Sequence, residues 1–285
     1  MNLAFTMQKF QDWVTQQWVI LCGRKINPKD YPWLIAPFGE LNGIGEEFIY
    51  QLAEKENLVV IRNSNSKGLL NSINELNLTE DQLNQLSEKV INFYESTADY
   101  DLEFKVKWNP YFSFFGFLVN RLFSQRINQL NIPTKNIPLS EDLVSEIITL
   151  NNPLNNEANY TIWLRKFKTS GKVIYSGIYG TCILPSGETC IKAVFPLPKG
   201  NATVIMKPNI GTENELILDS SGQKFGDAGF YFLLTDAKYN YWAQFISSFT
   251  DQLIVKENDN HLQAIQTLRL WNCNVSQFTY HIKKK

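Results

Sequence analysis

Histidine is almost missing from this chain: His261 and His281 are the two copies in 285 residues. That excludes a histidine-rich metal centre and leaves few bases for a nucleophilic triad. Glycine-framed catalytic turns are missing too. Tyr175-Ser176-Gly177 and Ser220-Ser221-Gly222 lack the first glycine of the G-x-S-x-G elbow. Gly43-Ile44-Gly45 has neither the spacing nor the following Gly-Lys-Ser/Thr of a phosphate loop. Cysteine is sparse and scattered, at Cys22, Cys182, Cys190 and Cys273, which makes neither a disulfide framework nor a zinc site. Cys182 and Cys190 flank the turn Pro185-Ser186-Gly187-Glu188. A three-residue loop there sets them face to face across a hairpin, and a two- or four-residue loop leaves them one position out of register; either way they read as small apolar strand thiols. No metal and no cofactor is expected.

An excess of either charge is also lacking. The 27 basic and 28 acidic side chains leave a net charge of −1, which argues against a generic nucleic-acid binder. The basic run Lys283-Lys284-Lys285 reads as a solvated tail. Long apolar runs are absent: the longest, Tyr111 to Val119, falls far short of the ~20 residues that span a bilayer. The first residues carry no basic start and are interrupted by Gln8, Lys9, Gln11, Asp12, Gln16 and Gln17, unlike a secretory signal. Together these features predict a cytoplasmic location, where the N-x-S/T triplets at Asn77, Asn159, Asn201 and Asn274 carry no glycan.

Aromatic residues are plentiful, with 19 Phe, 12 Tyr and 7 Trp. Rings of that number fill a core, and they also line pockets for apolar ligands.

Along the first half the apolar spacing is helical. Phe10, Trp13, Val14, Trp18 and Leu21 form one stripe over 3–21, and Ile44, Phe48 and Leu52 another over 44–55. The three prolines between Asn27 and Gly39 make that stretch an ordered loop. Thr79 with Gln82 has capping-box spacing and opens a helix down to Ser96. Leu58 to Ile61 and the alternating Tyr100 to Trp108 read as extended. Asn109-Pro110 then starts the most apolar helix, Tyr111 to Gln129. Ser140 to Leu150 is a short helix or strand, and the Asn-rich 151–159 reads as a linker.

After Tyr160 the period changes to two. Around eight strands are expected, at 161–168, 172–184, 189–195, 201–207, 215–220, 229–235, 261–271 and 276–282. Residues 239–256 fit both helix and strand. The fold expected is α+β: a helical N-terminal region, 1–150, packed on an antiparallel β-barrel or strongly curved sheet, 160–285, the two sharing one core.

Three readings of function follow. In the first, an apolar or lipid-like small molecule binds where the curved sheet meets the aromatic helix, against Phe112, Phe115, Phe123, Tyr175 and Tyr231. In the second, the same cavity hosts cofactor-independent acid–base chemistry. Its candidates are Asp219 and Asp227 in the glycine-rich loop 219–229, and His281 on the last strand. Turn chemistry accounts for the two aspartates without any catalytic role. In the third, helix 3–21 or 111–129 exposes its apolar face to a membrane surface or a protein partner.

Overall fold

The computed structural model describes residues 3–6, 8–41, 44–62, 67–112, 141–258 and 261–285. Among these residues the chain is α+β, with short helices first and an antiparallel barrel after them. Helix α1 (Phe10–Cys22) leads into β1 (Arg24–Ile26), and α2 (Glu47–Glu56) into β2 (Val59–Ile61). Helices α3 (Glu80–Gln85) and α4 (Glu88–Glu95) precede β3 (Tyr100–Trp108). Then come β4 (Glu141–Asn151), β5 (Ala158–Phe167), β6 (Val173–Ile183), β7 (Thr189–Leu197), β8 (Gly200–Ile210) and β9 (Leu216–Asp219). The last are β10 (Gly229–Thr235), β11 (Tyr241–Phe245), β12 (Phe249–Asn258), β13 (His261–Leu270) and β14 (Cys273–Lys284).

Ten of these strands close on themselves, in the order β8-β7-β6-β5-β4-β3-β14-β13-β12-β9 and back to β8. Strand β8 makes this possible by forking: residues 200–205 pair with β10 and residues 207–210 with β9. The β10 branch runs on through β11 to β1 as a side sheet. Along β3, Leu102, Phe104 and Val106 are buried in the barrel, while the alternate residues Asp101, Lys105 and Lys107 are exposed and Glu103 is half-buried. A membrane-spanning barrel would carry its apolar band on that outer face. Eight strands enclose just enough room for side chains, and ten enclose more, which is why large rings fill the interior. Phe104 stacks on Phe278 at 5.7 Å and meets Tyr280 at 5.3 Å and Phe167 at 6.2 Å.

One end of the barrel is covered by residues 69–99. Leu69, Leu70, Leu76, Val90, Phe93 and Tyr94 belong to the same apolar cluster as Phe104, Trp163 and Ile191. Helix α2 covers the outer face instead, laying Phe48, Ile49 and Leu52 on Ile148, Ile162, Leu164 and Val194. The proline-rich loop covers another outer region, placing Trp33 and Leu34 against Cys190, Ile205 and Tyr231.

Some readings left open are decided, and some expectations need correction. Of the two readings left open for 140–150, the described part is strand, β4, because Leu143, Ser145, Ile147 and Thr149 line the lumen and the edges of β3 and β5 both require a partner. Two barrel strands, β3 and β4, therefore arise before residue 151, inside the region expected to be helical. The expected linker 151–159 is the tip of the β4–β5 hairpin, with Asn151 opposite Ala158. Its asparagines build that tip: Asn156 takes φ 58°, and Asn151 donates to the Asn156 carbonyl at 2.8 Å. The single helix 79–96 is two, broken at Leu86, whose ψ of 134° is extended. The capping box is present, with Gln82 N–H donating to Thr79 Oγ1 at 3.3 Å and Thr79 N–H donating to Gln82 Oε1 at 3.0 Å. Segment 239–256 resolves into β11 and β12, separated by a turn in which Ile246 N–H donates to the Phe230 carbonyl.

Helix α1 forms but faces the other way. Phe10, Val14, Trp18 and Leu21 are exposed, while Asp12, Gln16, Gln17, Val19 and Ile20 are buried. Specific bonds hold this orientation. Gln16 Nε2 donates to the Pro198 carbonyl at 2.7 Å, and Gln17 Oε1 accepts from the Ala4 N–H at 3.2 Å.

Candidate functional site

The chemistry that this fold concentrates lies inside the barrel. On β5 the inward phase runs Thr161, Trp163, Arg165, Phe167, so one guanidinium is carried into an apolar lumen. Arg165 lies opposite Ser145 on β4 and Tyr175 on β6. The β5–β6 register slips just beyond it, from Arg165↔Tyr175 to Lys166↔Val173, leaving Ile174 unpaired as a bulge. Bulges re-aim side chains, and here Ile174 and Tyr175 are both buried.

The Arg165 guanidinium carbon sits 4.0 Å from the centre of the Trp163 ring and 4.4 Å from that of Tyr175. One terminal nitrogen donates to Tyr179 Oη at 2.8 Å. Trp163 is itself fixed, donating Nε1–H to Ser145 Oγ at 2.9 Å. Across the lumen, Tyr280 Oη donates to Gln266 Oε1 at 3.4 Å, and Gln266 Nε2 donates to Asp251 Oδ2 at 2.7 Å. Arg165 Nε, Asp251 Oδ1 and Ser276 Oγ are buried without a hydrogen-bond partner among the described residues.

Burial dominates the electrostatics. It pushes the Asp251 carboxyl up to about 7, helped by the nearby charge of Asp219 and opposed by Gln266 and Arg165. Burial also raises the phenols of Tyr175, Tyr179 and Tyr280, which therefore stay protonated donors. A guanidinium remains charged at any ordinary pH. The lumen thus presents a fixed cation, three phenol hydroxyls and a carboxyl whose pKa burial pushes up to about 7. That set suits an anionic or hydrogen-bond-accepting group, with rings to receive an apolar body.

Beneath the helical cover the packing is tight. The void bounded by Leu69, Tyr94, Trp163, Tyr179, Met206 and Leu253 is about 30 Å³, room for one water-sized molecule. The opposite end is rimmed by half-buried Trp108, Phe230, Phe249 and Leu268.

Of the expected site residues, Tyr175 does face this centre. Tyr231 lies on the far side of β10, buried against Trp33, Phe225 and Phe245, with its hydroxyl donating to the Asp227 carbonyl at 2.6 Å. Asp227 accepts from the N–H groups of Gln223 and Lys224 at 3.0 and 3.1 Å, the bonding of a loop cap. Asp219 accepts from the Ser221 N–H at 2.7 Å and from Gln252 Nε2 at 3.0 Å. His281 is on the outer barrel face, opposite Glu103 and Gln263, because Tyr280 and Ile282 take the inward phase. Phe112 is half-buried in the turn that Asn109 starts, while Phe115, Phe123 and the rest of helix 111–129 lie outside the described residues. Arg165, Asp251, Gln266 and Tyr280 were not anticipated. Their signal was phase: Trp163-x-Arg165-x-Phe167 and Asp251-x-Leu253-x-Val255 each put a charge in step with apolar residues.

No family model and no solved structure matches the chain significantly. A Bacillus subtilis protein described as the uncharacterized membrane protein YndJ is 27% identical over 190 residues, covering 66% of this chain. The match is 33% of that relative's length, so the chain spans about a third of it. Among the described residues, no helix is long and apolar enough to cross a membrane.

Proposed function

We propose that the barrel binds a small amphiphile, its apolar body among the interior rings and its anionic or hydrogen-bond-accepting head on Arg165. One observation carries this reading: a guanidinium inside a closed barrel, held between two aromatic faces, with Nε unpartnered among the described residues. Burying a charge costs several kcal/mol, roughly, unless a counter-group meets it. Asp251 is a weak counter-group, because its carboxyl holds a proton up to about pH 7. Among the described residues, the end rimmed by Trp108, Phe230, Phe249 and Leu268 is the one away from the helical cover, and entry is placed there. The relative's description as a membrane protein supports a place of action beside a bilayer, where such molecules are found.

Native mass spectrometry of the purified chain tests for a co-purified molecule, and titration with oleate and with oleyl alcohol tests the head group. The expected result is tighter binding of the carboxylate, lost in Arg165→Met. Equal binding of both, lost in Arg165→Met, reduces the head group to a hydrogen-bond acceptor; binding that Arg165→Met leaves unchanged, or binding of neither, overturns the reading.

A second reading, acid–base chemistry on the bound molecule, is favoured by the titration of buried Asp251 near neutrality. Asp251→Asn would then retain the bound molecule and stop its conversion, followed by its mass before and after incubation. An unaltered molecule in the wild type removes this reading.

A further inference from the structure

We infer that the exposed face of α1 is a membrane-docking surface that lies on anionic phospholipid. The inference rests on the reading of a chain that acts beside a bilayer, and is independent of what the barrel binds.

The helix is inside out by the ordinary rule. A surface helix turns its apolar stripe to the core and its polar residues to water. In α1, Asp12, Gln16 and Gln17 are 8%, 6% and 7% exposed, whereas Phe10 and Leu21 are 75% and 64% exposed. Phe10, Val14, Trp18 and Leu21 follow one another by four, four and three residues, so they share one face. The polar side is locked in by Gln16 on the Pro198 carbonyl, by a reciprocal Gln8–Gln16 amide pair at 2.8 and 2.9 Å, and by Gln17 on the Ala4 N–H. The outward stripe is therefore a built feature of the fold. Leu3 and Tyr239 extend the surface: both are exposed, and the turn carrying Tyr239 is tied to Leu3 by Ala237 N–H at 2.9 Å.

Charge and area select the occupant. Every exposed charge from residue 9 to residue 25 is basic; Lys9 just before the helix and Lys25 just after it flank the stripe, whereas Arg24 lies over the Phe225 ring on the other face of β1. Lys238 adds a third flanking cation in the turn beside Leu3. Apolar and aromatic side chains flanked by lysine and arginine are the pattern of a helix lying in the interface of an anionic membrane. A second copy of this chain is a poorer fit. Thirteen residues make a helix about 20 Å long, and a one-stripe face on it is about 200 Å², against the roughly 800 Å² per partner of a stable interface. Two copies would also bring their lysines together.

The experiment is flotation of the full chain with vesicles of equal phosphatidylglycerol and phosphatidylethanolamine, and with phosphatidylcholine alone, at 0.05 M and 0.5 M salt. The wild type should float with the anionic vesicles at low salt and lose most of that binding at high salt. Phe10→Ser with Leu21→Ser should weaken it at least tenfold without lowering the melting temperature, because both side chains are already in solvent. Lys9→Gln with Lys25→Gln should weaken it and flatten its salt dependence. Flotation that survives the Phe10/Leu21 change overturns the inference while leaving a membrane location standing, and no flotation of the wild type overturns both. A wild-type dimer that the same change splits, without vesicle binding, assigns the face to a second copy and also overturns it. Arg165→Met should float like the wild type, so the barrel reading and this one fail separately.

Discussion

The guanidinium carbon of Arg165 lies 4.0 Å from the centre of the Trp163 ring, and both side chains point into the lumen of one closed barrel. The pairing follows from period two on β5, since residues 163 and 165 share a strand face. Arg165→Met keeps most of the buried volume, removes a charge from an apolar lumen, and gives up two ring contacts and one hydrogen bond to Tyr179. Replacing a buried charge by a well-packed apolar residue is often neutral or stabilising. The variant should therefore melt within a few degrees of the wild type while its retention of a carboxylate amphiphile falls at least tenfold, about 1.4 kcal/mol. An early melt with unchanged ligand retention would make Arg165 a packing residue.

Asp251 makes stability depend on pH in an unusual sense. Its carboxyl titrates near 3.9 in an unfolded chain and at about 7 in the fold. Between those values the folded state holds a proton that the unfolded state has released, so stability falls as pH rises through this window and levels off above it. The gap is worth roughly 4 kcal/mol at most. Asp251→Asn should be more stable than the wild type at pH 8 and should lose the downward slope, as urea unfolding at pH 5 and pH 8 will measure. A variant with the same slope would place that titration on another group.

A fragment of residues 156–285 lacks β3 and β4, which close the barrel between β14 and β5. It leaves two long unpaired edges and opens the lumen with its rings to water. Its expression should give aggregated or molten material, read by gel filtration and near-ultraviolet dichroism. A soluble fragment that unfolds cooperatively would contradict the topology.

The loop aspartates are expected to matter only locally. Asp227→Ala frees two backbone N–H groups and should cost about 1 kcal/mol, as lost caps do. Ligand retention should be unchanged in Asp227→Ala and in His281→Gln. A retention loss in either, with the melting temperature preserved, would return that residue to the site.

Much of the architecture is written locally. Alternation along β3 and β14 is dictated by residues that are neighbours in the chain. The same holds for the turn at Gly187, whose φ of 87° suits glycine and which sets Cys182 opposite Cys190. The capping box at Thr79 is equally local. The aromatic content foretold a core built of rings, and Tyr175 is one of the rings buried in the lumen.

Closure was not legible, because it depends on pairs far apart in the chain. Nothing near Gly200 announces that β8 will fork between β10 and β9, and nothing near Glu141 announces that β14 and β3 need a further strand to reach β5. The polar centre was hidden for the same reason: Arg165 and Asp251 are separated by 86 positions, and each alone reads as a surface charge. Helix α1 shows the limit most directly. Its apolar periodicity specified a helix with one apolar face, but not which face turns inward. That was decided by distant carbonyl and amide partners, Pro198 and Ala4, which bond the glutamines and leave Phe10 and Leu21 in solvent. The sequence by itself determines where strands and helices form, through local sterics and spacing. Which side of each meets the core, and which charges meet one another, is decided by the three-dimensional closure of the barrel.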